Sequence, residues 1–489
     1  MSVERAKGRR TRRRKSRAAS AITGAHAFAA LLLAFVVALV LFGGSSRYDQ
    51  LVQAPLRVVA ILVIAAATLR RTDTAPSAIR LPALLLGAAV ALVCIQLIPL
   101  PPQIWTALPG RADFAGAAAA AGFDQPWRPI AIAPDLTLNS LLSLTVPVAA
   151  LYGLAVLEPR HWRWVLWVLL AVVFVSMLIG IVQLVTGAGG FTAIYNLTAR
   201  DLALGIFANR NHQALLLAMG LPLLASWEVL RRDDSTGATA RWAAVAVAAL
   251  LMIVLVSTGS RAGVLLGGLG LLGGLAVVWS WRRRRGGTSR RLSGTMLAVM
   301  AAAVILLLIG IAIYFGRAQA IDRLFAADPL VDKRARALPT VVEMVKSYFP
   351  VGAGFGSFDP AFRHVEPFSL LEWTYFNQAH NDLIQVVLEG GLPALILLAV
   401  ALGWLAIICV RLWRNGSARS VIVRGRAASI GLLLMLAASA VDYPLRTPTM
   451  MAIAIALIFQ IAVALGEMRQ TDVERSGRVN GEEPALPDF

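Results

Sequence analysis

Twelve apolar runs, each of a length that can cross a bilayer as a helix, dominate this 489-residue chain. They cover 21–43, 54–69, 81–98, 137–156, 164–186, 209–230, 242–257, 262–281, 294–315, 383–410, 427–442 and 448–467. About 20 residues of helix span the roughly 30 Å of bilayer hydrocarbon. In lipid the backbone must satisfy its own hydrogen bonds, so such runs are helices. The fold expected is all-α, a polytopic membrane protein of twelve transmembrane helices. Only 15% of residues are charged and the mean hydropathy is +0.70, well away from the roughly 25% charged of a soluble domain.

The formal net charge of +19 would suggest nucleic acid in a soluble protein. Here the arginines lie between apolar runs, and no basic, aromatic-studded soluble module accompanies them. Their distribution is topological. One set of connections carries Arg70, Arg71, Arg80, Arg160, Arg163, Arg231, Arg232 and Arg241, then Arg282 to Arg285, then Arg411, Arg414, Arg419, Arg424 and Arg426. Both termini join this basic set, and residues 1–19 alone hold nine Lys or Arg. The alternate connections are sparse in charge, and their long member, 316–382, has seven basic against eight acidic residues. The expected location is the bacterial inner membrane, with both termini cytoplasmic and loop 316–382 periplasmic. Residues 1–20 form a basic arm near anionic headgroups, 21–467 the membrane domain, and 468–489 a polar tail expected to be disordered. Run 21–41 is too long for a cleaved signal core and reads as a signal anchor.

Four outer connections are informative. Loop 99–136 is rich in Pro and Trp, including Trp105 and Trp127, and reads as irregular backbone with interfacial anchors. Loop 187–208 leads into Asn209-Arg210-Asn211-His212. The turn Ser257 to Gly263 is very short. Loop 316–382 should hold one or two helices, with Leu338, Val341, Val342 and Val345 at helical spacing, before the Gly352 to Gly356 run breaks the pattern. Cys94 and Cys409 lie in separate apolar runs, so neither a disulfide nor a metal site is expected.

Arg261 is conspicuous in its tight turn, because a guanidinium near the membrane is costly unless paired and marks a candidate site. The alternative is a snorkelling arginine at a helix end. Arg210, flanked by Asn209 and Asn211 at the start of a span, combines a guanidinium fork with a helix N-terminus. That pairing suits phosphate oxygens, although simple capping explains it too. Arg446 is a third outward arginine, whose plainer role is an ion pair with Asp442. His380 precedes the tenth span, where Asn381 or Asp382 can cap the helix, and an imidazole can take a proton at neutral pH. His364 is a weaker alternative. Glu389, within a span, is a candidate partner for one of the arginines.

The segments 205–212, 257–263, 350–358 and 380–391, with the Pro-rich 97–108 and the closing 442–448, together resemble the O-antigen ligase and polymerase superfamily. The likeness spans about residues 80–465, and each motif is short; order and topology carry it. It implies a membrane glycosyltransferase that moves a glycan from an undecaprenyl-diphosphate-linked donor to lipid A core or a glycan acceptor, without metal or other cofactor. By this resemblance His380 and Arg261 are catalytic, and Arg210, Arg261, Arg446, Asn211 and Asn381 bind the diphosphate. Ligation to lipid A core is the leading expectation. Polymerisation of O-antigen or exopolysaccharide, and glycosylation of a protein hydroxyl, share the donor. A transporter is the reading from another class, and it should show broken helices and polar residues at mid-membrane.

Overall fold

The computed structural model describes residues 26–46, 53–70, 75–186, 195, 202–231, 237–284, 333–371 and 376–479. The expected span 294–315, the basic arm and most of loop 187–208 lie outside the described residues. The helices run in chain order as α1 His26–Phe42, α2 Gln53–Leu69, α3 Arg80–Gln96, α4 Pro102–Thr106, α5 Ala112–Ala120, α6 Pro134–Ser143, α7 Thr145–Ala155, α8 Trp164–Thr186, α9 Arg210–Arg231 and α10 Gly237–Ser257. They continue as α11 Arg261–Arg284, α12 Lys333–Tyr348, α13 Phe358–Val365, α14 Asp382–Arg414, α15 Ser420–Ser439 and α16 Pro448–Val479. Among the described residues nine helical spans are long and apolar enough to cross a membrane, with α6 and α7 together forming one, and α1 and α2 are shorter apolar helices. The protein is an all-α polytopic membrane protein, as its sequence implies.

Burial sorts the helices into inner and outer ones. Within their apolar windows, 83% of α9, 78% of α16 and 72% of α15 is buried, against 11% of α14. The outer faces carry large apolar side chains such as Leu84 and Leu265, which suits lipid contact. α9 and α11 pack most closely because α11 turns Gly263, Gly267, Gly270 and Gly274 toward its neighbours. A methyl group at Gly270 would press on the Ala218 carbonyl and one at Gly274 on Ala225. Small residues at this spacing let backbones approach where no hydrophobic force drives helix association in lipid.

α14 is interrupted. Gly391 has φ +62° and Pro393 follows, so the helical ladder fails there. The neighbouring chain closes the gap. Ala353 N–H donates to the Leu388 carbonyl and Gly354 N–H to the Glu389 carbonyl, both at 2.9 Å, and Leu392 N–H donates to the Pro350 carbonyl at 2.8 Å. Gln96 Nε2 gives a second bond to the Glu389 carbonyl at 2.9 Å. Non-helical backbone at membrane depth is tolerated when protein groups satisfy it in this way. The glycine run is thus a docked turn rather than a loose hinge. Gly352, Gly354 and Gly356 all have positive φ, a conformation open to glycine.

Several expectations change. Loop 99–136 is folded, with α4, α5 and an antiparallel pairing of Pro99–Leu100 with Arg128–Pro129. Its Trp105 is 3% exposed and donates to the Pro129 carbonyl at 2.8 Å, so it is a core residue; Trp127 stays exposed. Arg111, fully buried, ties this loop to the glycine run by donating to the Ile130 carbonyl at 2.5 Å and the Gly352 carbonyl at 2.8 Å. The buried stripe of α12 is Ala337, Val341, Met344 and Tyr348; of the four expected residues Val341 is in it, Val345 packs at its edge, and Leu338 and Val342 are exposed. The helix is rotated because Met344 and Tyr348 join Phe358, Phe362 and Phe376 in a second apolar cluster. α15 begins at Ser420, so Arg424 and Arg426 lie inside a helix rather than in a basic connection. Arg426 donates to the carbonyls of Leu412, Asn415 and Ser417 at 2.8–3.1 Å, capping the end of α14. α16 continues past Glu467 to Val479, held by an Arg419–Glu467 ion pair at 2.6 Å and by Arg469 on Ser77 at 3.2 Å.

Candidate active site

Asp442, in the short connection between α15 and α16, is buried and gathers the polar ends of several helices. His380 Nδ1 lies 3.2 Å from its Oδ1, and Tyr443 N–H donates to the same oxygen at 3.0 Å. Its Oδ2 accepts from Asn211 Nδ2 at 2.5 Å and from Asn209 Nδ2 at 3.2 Å. Ser260 Oγ donates onward to Asn211 Oδ1 at 2.7 Å. One carboxylate therefore connects the loop end at His380, the start of α9 and the turn before α11.

Local sequence dictates each of these positions. Asn209 turns the chain into α9 by accepting from Asn211 N–H at 2.8 Å, which makes Arg210 the first helical residue. Gly259 has φ +62°, and Ser260 Oγ accepts from Gly263 N–H at 2.9 Å, so Arg261 opens α11. Asn381 caps α14 by accepting from Ile384 N–H at 3.0 Å, and its amide donates to the Ala440 carbonyl at 2.9 Å. The N-termini of α9, α11 and α14 meet here, and the positive ends of their dipoles favour an anion. His380 has φ +50°, alone among the described non-glycine residues in being positive; such strain persists where its surroundings fix it.

Burial pushes the Asp442 carboxyl upward. The hydrogen bond from His380 and the charges of His212, Arg334 and His380 more than offset this and hold it well below the usual carboxylate range. Tyr443, pushed up to about 12 chiefly by burial and by Asp442, remains a neutral phenol. Its ring packs 4.8 Å from that of His380 and 5.4 Å from that of His212. His212 meets Thr447 Oγ1 at 2.9 Å.

Arg446 takes a different partner from the one expected. It lies 2.8 Å from Glu389 and 3.4 Å from Asp382, and Asp442 serves His380 and the asparagines instead. Glu389, fully buried, does answer an arginine. Arg446 and Asp382 line a cavity of about 270 Å³ between α3, α6 and α14, with Asn139 and Gln378 among its polar walls and Val93, Leu136 and Met451 among its apolar ones. His364 is elsewhere, 3.1 Å from Asp113. Among the described residues no three His, Cys, Asp or Glu side chains come together as metal ligands.

Asp442, Ser260 and Tyr443 were missed as site residues. The available signal was Asp442 itself, an acid in the short outer connection between two apolar spans. Residues 246–399 match the family model of O-antigen ligases. The matched stretch includes Ser260, Arg261, His380 and Glu389, while Arg210, Asp442 and Arg446 fall outside it. No curated protein matches the chain.

Proposed function

We propose, on the match of residues 246–399 to the family model of O-antigen ligases, that the chain transfers a glycan from undecaprenyl diphosphate to an acceptor hydroxyl at the periplasmic face of the inner membrane, with lipid A core as the acceptor. The observation that carries this reading is the His380–Asp442 contact at 3.2 Å, linked through Asn211 to the turn that presents Arg261.

The chemistry requires a base for the acceptor and positive charge for the leaving group. As the acceptor oxygen bonds to the anomeric carbon, its proton passes to Nε2 of His380. Asp442 keeps Nδ1 protonated and stabilises the imidazolium that forms. The bond from the anomeric carbon to the diphosphate oxygen breaks, and its electron pair stays on the phosphate. Arg261 and Arg210, with the N-termini of α11 and α9, stabilise that charge as it develops. Arg446 is already balanced by two carboxylates, and the amides of Asn211 and Asn381 are engaged in protein hydrogen bonds. In this reading these three position the site around the donor. The interruption of α14 is a trait transporters share, but here the carbonyls of Leu388 and Glu389 are bonded to the loop, which favours a sealed structural break.

Arg261→Lys and His380→Ala are expected to abolish glycan transfer while membrane insertion is unchanged. Normal lipopolysaccharide and exopolysaccharide profiles in both variants would overturn the proposal. A deletion strain separates the acceptors: a lost ligase leaves lipid-linked polymer unattached to core, and a lost polymerase leaves single repeats.

A further inference from the structure

The opposite end of the bundle from Asp442 holds a cavity of about 1070 Å³, formed where α8 and α15 begin and α9 ends, beside residues 463–470 of α16. Five arginines line it: Arg160, Arg163, Arg231, Arg424 and Arg469. Among the described residues, two nearby carboxylates are committed to arginines. Glu467, in the cavity wall, pairs with Arg419 at 2.6 Å, and Glu158 pairs with Arg160 at 2.7 Å. Glu228 is buried on α9 one turn before Arg231. Arg424 is 8% exposed and shares the cavity wall with Arg163, and its buried Nε has no hydrogen-bond partner among the described residues. The indole N–H of Trp227, also in the wall, is buried and has no partner among the described residues. Buried donors are normally satisfied, and like charges drawn together call for an anion between them.

A second cavity of about 290 Å³ continues from the first. It is a nearly wholly apolar groove between α8, α9 and α10, lined by Phe174, Leu224, Val247 and Leu251 among others. The two share Trp167 and Trp227, whose rings meet edge to face at 5.9 Å. A cationic pocket at the helix ends, a tryptophan threshold and an apolar groove leading along the span match the headgroup, glycerol region and acyl chain of a phospholipid.

We propose that this end of the protein binds an anionic glycerophospholipid, its phosphate held by Arg424 and Arg163 and one acyl chain laid in the groove between α8, α9 and α10. The site is separate from the glycosyl-transfer site and stands whether or not that assignment holds.

The full-length protein, in nanodiscs of phosphatidylcholine with or without phosphatidylglycerol, provides the test. Phosphatidylglycerol should raise the melting temperature and co-purify in native mass spectra. Arg424→Gln and Arg163→Gln should each weaken its retention roughly fivefold. Ala171→Trp, on the exposed groove wall, should weaken retention while leaving both cations in place. Three results would overturn the proposal: equal stabilisation by phosphatidylcholine alone, equal stabilisation by inorganic phosphate in detergent, or unchanged retention in all three variants. A fall with the arginine variants but none with Ala171→Trp would point to a soluble phosphate ligand and overturn it as well.

Discussion

Asp442 illustrates how much a single carboxylate can organise when it is the common acceptor of four donors. Asp442→Asn keeps its shape and removes its charge. The proposed mechanism predicts a fall of about 10²-fold or more in transfer rate, the range of general acid–base catalysis, measured as initial rates in proteoliposomes. The pH profile carries a second prediction. A carboxyl held low when folded lends stability above its unfolded value and loses it only as pH falls through its folded value. Asp442 therefore stays ionised through the mildly acidic range, and the acid limb of the rate belongs to imidazole. In Asp442→Asn that limb should move to lower pH, because a neutral amide no longer favours the imidazolium. A limb that does not move would remove Asp442 from the mechanism. Arg446 tests differently. Arg446→Met strands Asp382 and Glu389, a change that typically costs about 3–5 kcal/mol for a buried pair, and should appear as a lower melting temperature in detergent. Adding Glu389→Gln to Arg446→Met should recover part of it. Arginines at span ends were legible from the sequence because charge is rare there; which acid answered which arginine was not, since Asp442 is near Arg446 in sequence while Asp382 and Glu389 sit on α14, and only packing brings that helix to Arg446.

At the scale of elements, the interrupted α14 and the glycine run preceding it form one unit. Gly352→Ala would force a side chain into positive φ and against the Glu389 carbonyl. Strain of this kind typically costs about 1–3 kcal/mol, and thermal unfolding together with protease cleavage of residues 349–356 would register it. Gly87→Ala, in open space on α3, is the neutral control. Helix positions were readable from run length, although the break at Gly391 fell inside 383–410, which reads as one continuous span. The docking of the loop was not, because backbone bonds between residues 350–354 and 388–392 leave no periodic trace in side-chain type. The rotation of α12 escaped for a related reason. Val341 belongs to both the expected face and the buried stripe while Leu338 and Val342 turn outward, and Ala337 and Tyr348 declare themselves only against the Phe cluster.

For the whole molecule, the charge asymmetry makes a directional claim. After replacement of Cys94 and Cys409, a cysteine at exposed Phe368 should react with an impermeant maleimide in cells with a permeabilised outer membrane. A cysteine at Ser417, beyond the end of α14, should react only after lysis. The reverse pattern would invert the expected topology and place the His380 end in the cytoplasm. Architecture was legible at this scale because lipid admits few backbone solutions, whereas the inward turn of Arg424 and Arg426 was hidden: an arginine count treats a buried guanidinium and a solvated one alike.

The seam between the glycine run and α14 also bears on biosynthesis. The groups that complete the broken turn lie upstream of it, so during translation residues 350–354 emerge well before the helix they will close. Until the segment around Leu388 leaves the ribosome and enters the bilayer, that stretch has no partner to settle on. A nascent chain halted when residues 350–356 have emerged but Leu388 is still inside the ribosome should therefore be trimmed readily by proteases at 350–356, and one halted after Pro393 has entered the bilayer should resist.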